Sequence, residues 1–175
     1  MKININVLIE GKLNFYNLLF SNWSILFENL NFFKTQGLNI NFFTNDEDCI
    51  LDCDILIISS RFFYNNNFTN EYIIKTLEKF NKKNPNIIWF DLRDSAGTTQ
   101  FEVMPYIKLY VKSQIYKDFS KYKLNLYGGR SYSEFYHQNY NINDSILYKM
   151  NPLHKNYYKK IIIGWNLGVI RYDYL

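Results

Sequence analysis

The sequence predicts an α/β fold, a three-layer sandwich built on one mostly parallel sheet. Short apolar runs alternate with longer amphipathic segments along the chain, which is the pattern of βαβ units. Right-handed crossovers would make most neighbouring strands parallel. A length of 175 residues suits one domain with a hydrophobic core, so we expect a single domain over residues 1–175.

The first third of the chain predicts two strands around one helix. Residues 2–9 alternate and then run apolar, which indicates a strand that ends at Glu10-Gly11-Lys12. Residues 14–33 carry polar side chains at intervals of three or four, so we expect a mostly buried helix. A membrane-surface helix is the alternative, but the polar stripe lacks the lysines typical of one. Residues 38–44 predict the second strand.

The middle of the chain predicts a second strand–helix–strand unit. An apolar run at residues 55–58 indicates a strand that ends in Ser59-Ser60-Arg61, and residues 62–67 indicate a loop. Thr69 is placed to cap a helix that continues to residue 81. A strand at residues 87–90 follows.

The last part of the chain is less regular. We expect a strand over residues 106–111, a short helix or its approach over 114–123, and a glycine turn before Arg130. Residues 139–156 indicate a polar loop, and 159–163 a final strand.

Polar side chains follow several of these strands. Because parallel sheets bind ligands outside the carboxyl ends of their strands, we expect a site at that edge. Its densest part is the loop after residue 90, which holds both charge signs and several hydroxyls. The candidate residues are Gly11, Ser60, Arg61, Asp91, Arg93, Asp94, Ser95, Thr98, Thr99, Gly129, Arg130 and His137.

Two aspartates in this loop are the catalytic candidates. Either Asp91 or Asp94 would act as a general base that deprotonates a hydroxyl acceptor, while Arg93 holds an anion or orients its neighbour. The alternative is a structural loop, in which Asp94 or Ser95 caps the next turn and Arg93 pairs with an acid. His137 is either an acid, a base or a phosphate partner, or a hydrogen-bonded histidine without a chemical role.

The composition of the chain limits the classes of ligand and partner that we expect it to bind. The net charge of +4 is modest and no dense basic run occurs, so nucleic acid is not expected. Lysines outnumber arginines sixteen to four, and the planar guanidinium suits phosphate and carboxylate. The aromatic content of 19% indicates either biased codon usage or exposed rings for carbohydrate stacking. The candidate metal-binding triplet is Asp52-Cys53-Asp54, which has an Asp-x-Asp pattern. It precedes a strand, whereas a ligand site is expected after one, so no metal site is expected.

Several common motifs are missing. The sequence has no glycine-rich dinucleotide fingerprint, no Gly-Lys-Ser/Thr phosphate loop and no Gly-x-Ser-x-Gly elbow. Cys49 and Cys53 are interpreted as reduced packing residues.

Without a secretory segment or an apolar run of ~20 residues, the expected location is the cytoplasm or the inner face of the membrane, with at most peripheral membrane contact.

The central segment resembles bacterial glycosyltransferases from surface-polysaccharide loci. The resemblance is carried by Asp91-Leu92-Arg93-Asp94-Ser95-Ala96-Gly97-Thr98-Thr99 and its flanks, from residue 87 to residue 106. Gly129-Arg130, Tyr136-His137 and the closing Trp165-Asn166-Leu167-Gly168 are similar to the same group. The resemblance spans residues 55–175.

The resemblance implies a Rossmann-like domain from a transferase with two such domains. In that group the N-terminal domain binds a carbohydrate or lipid-linked sugar acceptor. The C-terminal domain binds the nucleotide-sugar donor, a co-substrate, usually without an essential metal or other cofactor. This chain stops near the expected junction, so we expect the acceptor half, with a donor domain either encoded downstream or supplied by a second chain.

Two other interpretations stay open. One is a truncated, inactive transferase remnant. The other is a non-catalytic, flavodoxin-like binding module. A receiver-like module is disfavoured because Ser59-Ser60 stands where a receiver needs an aspartate.

Overall fold

The computed structural model describes residues 2–12, 18, 21–93, 95–144 and 151–165. These residues form one six-stranded sheet in which all neighbouring strands are parallel. The predicted α/β sandwich with a parallel sheet is therefore confirmed. The strands are β1 (Ile3–Leu8), β2 (Leu38–Phe43), β3 (Ile55–Ser59), β4 (Ile87–Asp91), β5 (Leu109–Lys112) and β6 (Ile161–Ile163).

The strand order is β2-β1-β3-β4-β5-β6. The direction of winding reverses at β1, which pairs with β2 on one side and β3 on the other. Such a reversal opens a crevice at the carboxyl ends of the strands, and this is where open α/β sheets bind ligands. The topology therefore places the polar ends of β1, β3 and β4 along one edge.

Helices cover the sheet between the strands. The described α-helices are α1 (Ser24–Glu28), α2 (Leu30–Thr35), α3 (Ser60–Asn65), α4 (Asn70–Lys83) and α5 (Ser131–Tyr140). Short 3-10 helices span Asp48–Leu51, Phe101–Tyr106, Phe119–Lys123, Tyr127–Gly129 and Lys155–Lys160.

The strong periodic pattern of α4 gave an accurate prediction. Thr69 caps the helix, since its Oγ1 accepts a hydrogen bond from the Tyr72 backbone N–H at 3.2 Å. Ile73, Leu77 and Phe80 form the buried face. The helix ends two residues later than predicted, at a lysine pair that suits the negative end of the helix dipole.

Both faces of the sheet are buried. On one face Trp89 stacks on Phe63 of α3, with ring centroids 5.7 Å apart. On the other face Phe90 meets the edge of Trp23 at 5.2 Å. Because neighbouring residues of one strand point to opposite layers and both layers are apolar, the first four residues of β4 form a continuous apolar run that ends at Asp91. Each such side chain stabilises the fold by about 1.5–3 kcal/mol.

Three local predictions were wrong. Of the loop predicted over residues 62–67, residues 62–65 belong to α3 instead, because Phe62 and Phe63 are buried and hold this helix against the sheet. The helix predicted over residues 14–33 is divided in its described part, where Asn29 separates α1 from α2 and its Nδ2 donates to the Ile25 carbonyl. Residues 13–17 and 19–20 lie outside the described residues.

The third error is the start of the strand predicted at residues 106–111, which the structure otherwise contains as β5. β5 begins at Leu109, because Phe101–Tyr106 forms a 3-10 helix first. α5 had no counterpart in the sequence prediction, and part of the predicted loop at 139–156 lies outside the described residues. Within the described part of the chain, no helix is both long and apolar enough to cross a membrane.

Candidate functional site

A cavity of about 440 Å³ opens at the carboxyl ends of β3 and β4. Its size lies within the range of small-molecule sites. Six of the residues predicted from the sequence line it, namely Ser60, Arg61, Arg93, Ser95, Thr98 and Arg130. Four further residues complete the described lining, namely Tyr64, Leu92, Gln100 and Tyr132.

Three separate segments form the walls. The first is α3, which presents Ser60, Arg61 and Tyr64 on adjoining turns. The second is the loop after β4. The Ser60 Oγ accepts a hydrogen bond from the Leu92 backbone N–H at 3.0 Å, so the first two segments are tied together at the base of the cavity.

The third wall is the start of α5. Its Arg130 donates from Nε to the Thr98 Oγ1 at 3.2 Å and from Nη1 to the Tyr132 hydroxyl. Its guanidinium also lies 5.6 Å from the centre of the Tyr132 ring. Below it, Gly97 leaves no room for a side chain, because an added Cβ would lie 2.8 Å from the Gly129 carbonyl oxygen. The two loops therefore meet closely.

Asp91 lies behind the cavity and is fully buried. Its Oδ1 accepts from the backbone N–H and the Nε of Arg93, both at 3.0 Å. Its Oδ2 accepts from Arg93 Nη2 at 3.3 Å, Lys112 Nζ at 3.2 Å and the Tyr110 hydroxyl. Burial alone would raise the pKa of Asp91, but the charges of Arg93 and Lys112 hold it below its ordinary value.

This geometry gives Asp91 a positioning role. A general base must reach the proton that it abstracts, whereas both oxygens of Asp91 are engaged and the residue does not line the cavity. Its bonds to Nε and Nη2 fix the guanidinium of Arg93 instead. The catalytic role stays a prediction for Asp91, and equally for Asp94, which lies outside the described residues.

Two residues that support Asp91 were missed by the sequence reasoning. Tyr110 donates to Asp91 and accepts from the backbone N–H of Gln100 at 3.0 Å, so it joins the buried carboxylate to the cavity wall. Burial and the charge of Asp91 raise the pKa of Tyr110 well above its ordinary value. Lys112 also donates to the Arg93 carbonyl at 2.9 Å. A charged residue in an otherwise apolar strand was the available signal.

Three of the four arginines of the chain line this one cavity. Arg93 and Arg130 are held by the contacts described above. Arg61 differs, because its guanidinium has no hydrogen-bond or ion-pair partner among the residues that the structure describes. Arg171 lies outside those residues.

Four other predicted residues do not line the cavity. Gly11 follows β1 with a φ of 82°. Thr99 is buried, and no described group bonds its Oγ1. Gly129 is buried in the loop contact with Gly97. His137 stacks on Tyr127 at 3.8 Å, with its Nδ1 3.1 Å from the Ile142 carbonyl oxygen.

A further carboxylate lies at the neighbouring crevice. The Ser59 hydroxyl donates to Glu10 Oε2 at 2.6 Å, which links the ends of β1 and β3 where the winding reverses. The sequence alone indicates only that Glu10 ends a strand. Among the described residues, no group of three or more histidines, cysteines or acids is placed to hold a metal ion.

The cavity thus combines guanidinium groups, neutral hydrogen-bonding groups and two aromatic rings at the ligand edge of a parallel sheet. This combination suits an anionic ligand that also carries hydroxyl groups. Comparisons with protein-family models, curated proteins and solved structures found no match for the chain.

Proposed function

We propose that this chain is the acceptor-binding part of a glycosyltransferase of cell-surface polysaccharide synthesis, and that the cavity holds the sugar acceptor. One observation carries the proposal. The two segments that resemble such transferases, around Thr98 and around Arg130, are 32 residues apart and meet through a hydrogen bond in the cavity wall. Two segments that are separate in the sequence, and that resemble the same group of transferases, thus contribute to the same cavity.

The chemistry of the lining suits a sugar. Ser60, Ser95, Thr98 and Gln100 provide hydroxyl and amide groups that both donate and accept hydrogen bonds. Tyr64 and Tyr132 are 74% and 50% exposed, and such rings offer an apolar face with a polar edge. An acceptor sugar would use both kinds of contact.

In the proposed reaction, an acceptor oxygen forms a bond to the anomeric carbon of a nucleotide sugar as the bond to the nucleoside diphosphate breaks. The acceptor hydroxyl must give up its proton, and Asp94 is the candidate base. The donor would be held by a second domain, in the same protein or in a partner chain. The proposed location is the cytoplasm, with acceptors free or linked to lipid.

A non-catalytic binding module is the second candidate. The first five strands have the order β2-β1-β3-β4-β5, which is the flavodoxin-like order. In addition, one of the two aspartates predicted to be catalytic is buried and fully engaged. A module of this kind would bind its ligand in the same cavity without transferring a sugar.

A transfer assay separates the two candidates. The protein, in the longest form that its reading frame encodes and with any partner chain, is incubated with radiolabelled nucleotide sugars and a panel of oligosaccharide and lipid-linked acceptors. We expect transfer that Asp94→Ala lowers by a factor of about 100 or more. Asp52→Ala, an exposed acid in the turn that precedes β3, is the matched control.

The outcomes are distinct. Unchanged turnover in a folded Asp94→Ala protein would remove this loop from the mechanism. Acceptor binding without transfer in any combination would favour the binding module.

A further inference from the structure

We propose that the cavity contains a phosphate subsite formed by Arg61, Arg93 and Arg130, and that its ligand is a phosphate ester of a sugar. This inference rests on the proposed function and adds the chemical class of the acceptor. The three guanidinium groups come from α3, the loop after β4 and the start of α5, and they line the same cavity.

The charge balance of the cavity favours an anion. Lys112 lies directly behind Arg93, so four cations surround or support the site. Among the described groups that line it or contact the lining cations, the one carboxylate is that of Asp91. If Asp94, in the same loop, also faced the cavity, the cations would still outnumber the carboxylates by two.

Arg61 supplies the most direct argument. It is partly buried and lines the cavity. No described residue forms a hydrogen bond or an ion pair with its guanidinium. A partly buried cation without a counterion is held at a cost in desolvation, which a bound anion would offset. By contrast, the exposed Lys75 on α4 pairs with Glu71 at 2.7 Å.

The other two arginines are held in place before a ligand arrives. Arg93 donates hydrogen bonds from Nε and Nη2 to Asp91. Arg130 donates to Thr98 and Tyr132. A planar guanidinium fixed in this way loses little side-chain entropy when it binds an oxyanion. The arrangement is therefore preorganised, with Arg61 as the adjustable member.

The number of cations favours phosphate over carboxylate. A phosphate monoester carries a charge of about −1.5 to −2 near pH 7 and presents three acceptor oxygens, which three guanidinium groups can share. A carboxylate has one charge and two oxygens, which a single arginine fork satisfies. Ser60, Ser95 and Gln100 then remain for the hydroxyls of the sugar.

The test is a calorimetric titration at low and moderate salt with four probes: inorganic phosphate, N-acetylglucosamine, N-acetylglucosamine 1-phosphate and geranyl diphosphate-linked N-acetylglucosamine. We expect the phosphate ester to bind at least about tenfold more tightly than the neutral sugar, and more weakly as salt rises. Arg61→Gln should remove most of that difference, Arg61→Lys should restore part of it, and Lys75→Gln should leave it unchanged.

Circular dichroism and thermal unfolding first establish that each variant is folded. Equal affinity for the neutral sugar and its phosphate, or undiminished phosphate binding by Arg61→Gln, would overturn the subsite and leave the acceptor proposal standing. Phosphate binding that depends on Arg61 but gains nothing from the sugar would uphold the phosphate subsite, overturn the assignment of a sugar phosphate as its ligand, and count against the glycosyltransferase proposal.

The last two probes distinguish the source of the phosphate ester. Binding of the monophosphate as tightly as the prenyl diphosphate points to a free sugar phosphate. Binding that strengthens about tenfold or more with the diphosphate points to a lipid-linked acceptor. Both results support the subsite.

Discussion

The carboxyl edge of the sheet contains two charged regions that differ in nearly every physical respect. Around Asp91, a buried carboxylate makes many hydrogen bonds with the buried Lys112 and with the partly exposed Arg93. Around Arg61, a cation lines an open cavity with no described partner. The difference teaches that charge at this edge has two uses: Asp91 and Lys112 maintain the structure, and Arg61 is available to a ligand. Arg93 joins the two regions, because it pairs with Asp91 and also lines the cavity.

Asp91→Asn should have the largest effect on stability. The substitution removes the carboxylate charge that pairs with the buried Lys112 and the partly exposed Arg93, and breaking a buried pair costs about 3–5 kcal/mol. Urea unfolding would report the change as a lower midpoint with an unchanged slope. A loss below 1 kcal/mol would mean that the buried cluster contributes little, and the comparison between the regions would fail.

The same cluster predicts a pH dependence. The pKa of Asp91 is lower in the folded protein than its ordinary value of 3.8. Its contribution to stability is therefore fully present above about pH 4 to 5 and is lost as the pH falls from there through the folded pKa. We expect the unfolding free energies of the native protein and of Asp91→Asn to converge as the pH is lowered from 7 to 3. Two curves that stay parallel over this range would show that Asp91 is not the titrating group.

Tyr110→Phe should have an intermediate effect. It removes the hydroxyl that donates to Asp91 and accepts from the Gln100 backbone, and a buried group left without its partner costs about 1–3 kcal/mol. Since Gln100 lines the cavity, sugar phosphate binding should weaken as well. Tyr136→Phe on the exposed α5 is the matched control, and an equal loss of stability there would contradict the assignment.

Arg61→Gln should have the smallest effect on stability. No described residue depends on the Arg61 guanidinium, so the free energy of unfolding should change by less than about 0.5 kcal/mol. Ligand binding should nevertheless weaken strongly. A destabilisation comparable to that of Asp91→Asn would show that Arg61 belongs to the structural region after all.

The elements that the sequence predicted correctly are those whose stabilising contacts show as a local pattern. β3 and β4 are apolar runs because both faces are buried, and α4 has a cap and a regular buried face. The edge at which polar residues gather follows from the parallel sheet alone. Six residues of the cavity could therefore be named before their positions were known.

The elements that were missed depend on contacts distant in the sequence. α3 is short and is held by Phe62 and Phe63 against β4, and α5 buries no side chain and so carries no periodic signal. The role of Lys112 depends on the register that places it opposite Asp91, 21 residues earlier. No local pattern shows which acid a strand lysine will meet.

The wall contributed by α5 has a consequence for how this site changes during evolution. None of the ten residues of α5 is buried, whereas the opposite wall belongs to α3, whose Phe62 and Phe63 form part of the core. Substitutions at positions such as Tyr132 can therefore alter the shape of the cavity without disturbing the sheet. Substitutions in the α5 wall can therefore change ligand preference while the fold is kept, whereas substitutions of Phe62 or Phe63 would disturb the core.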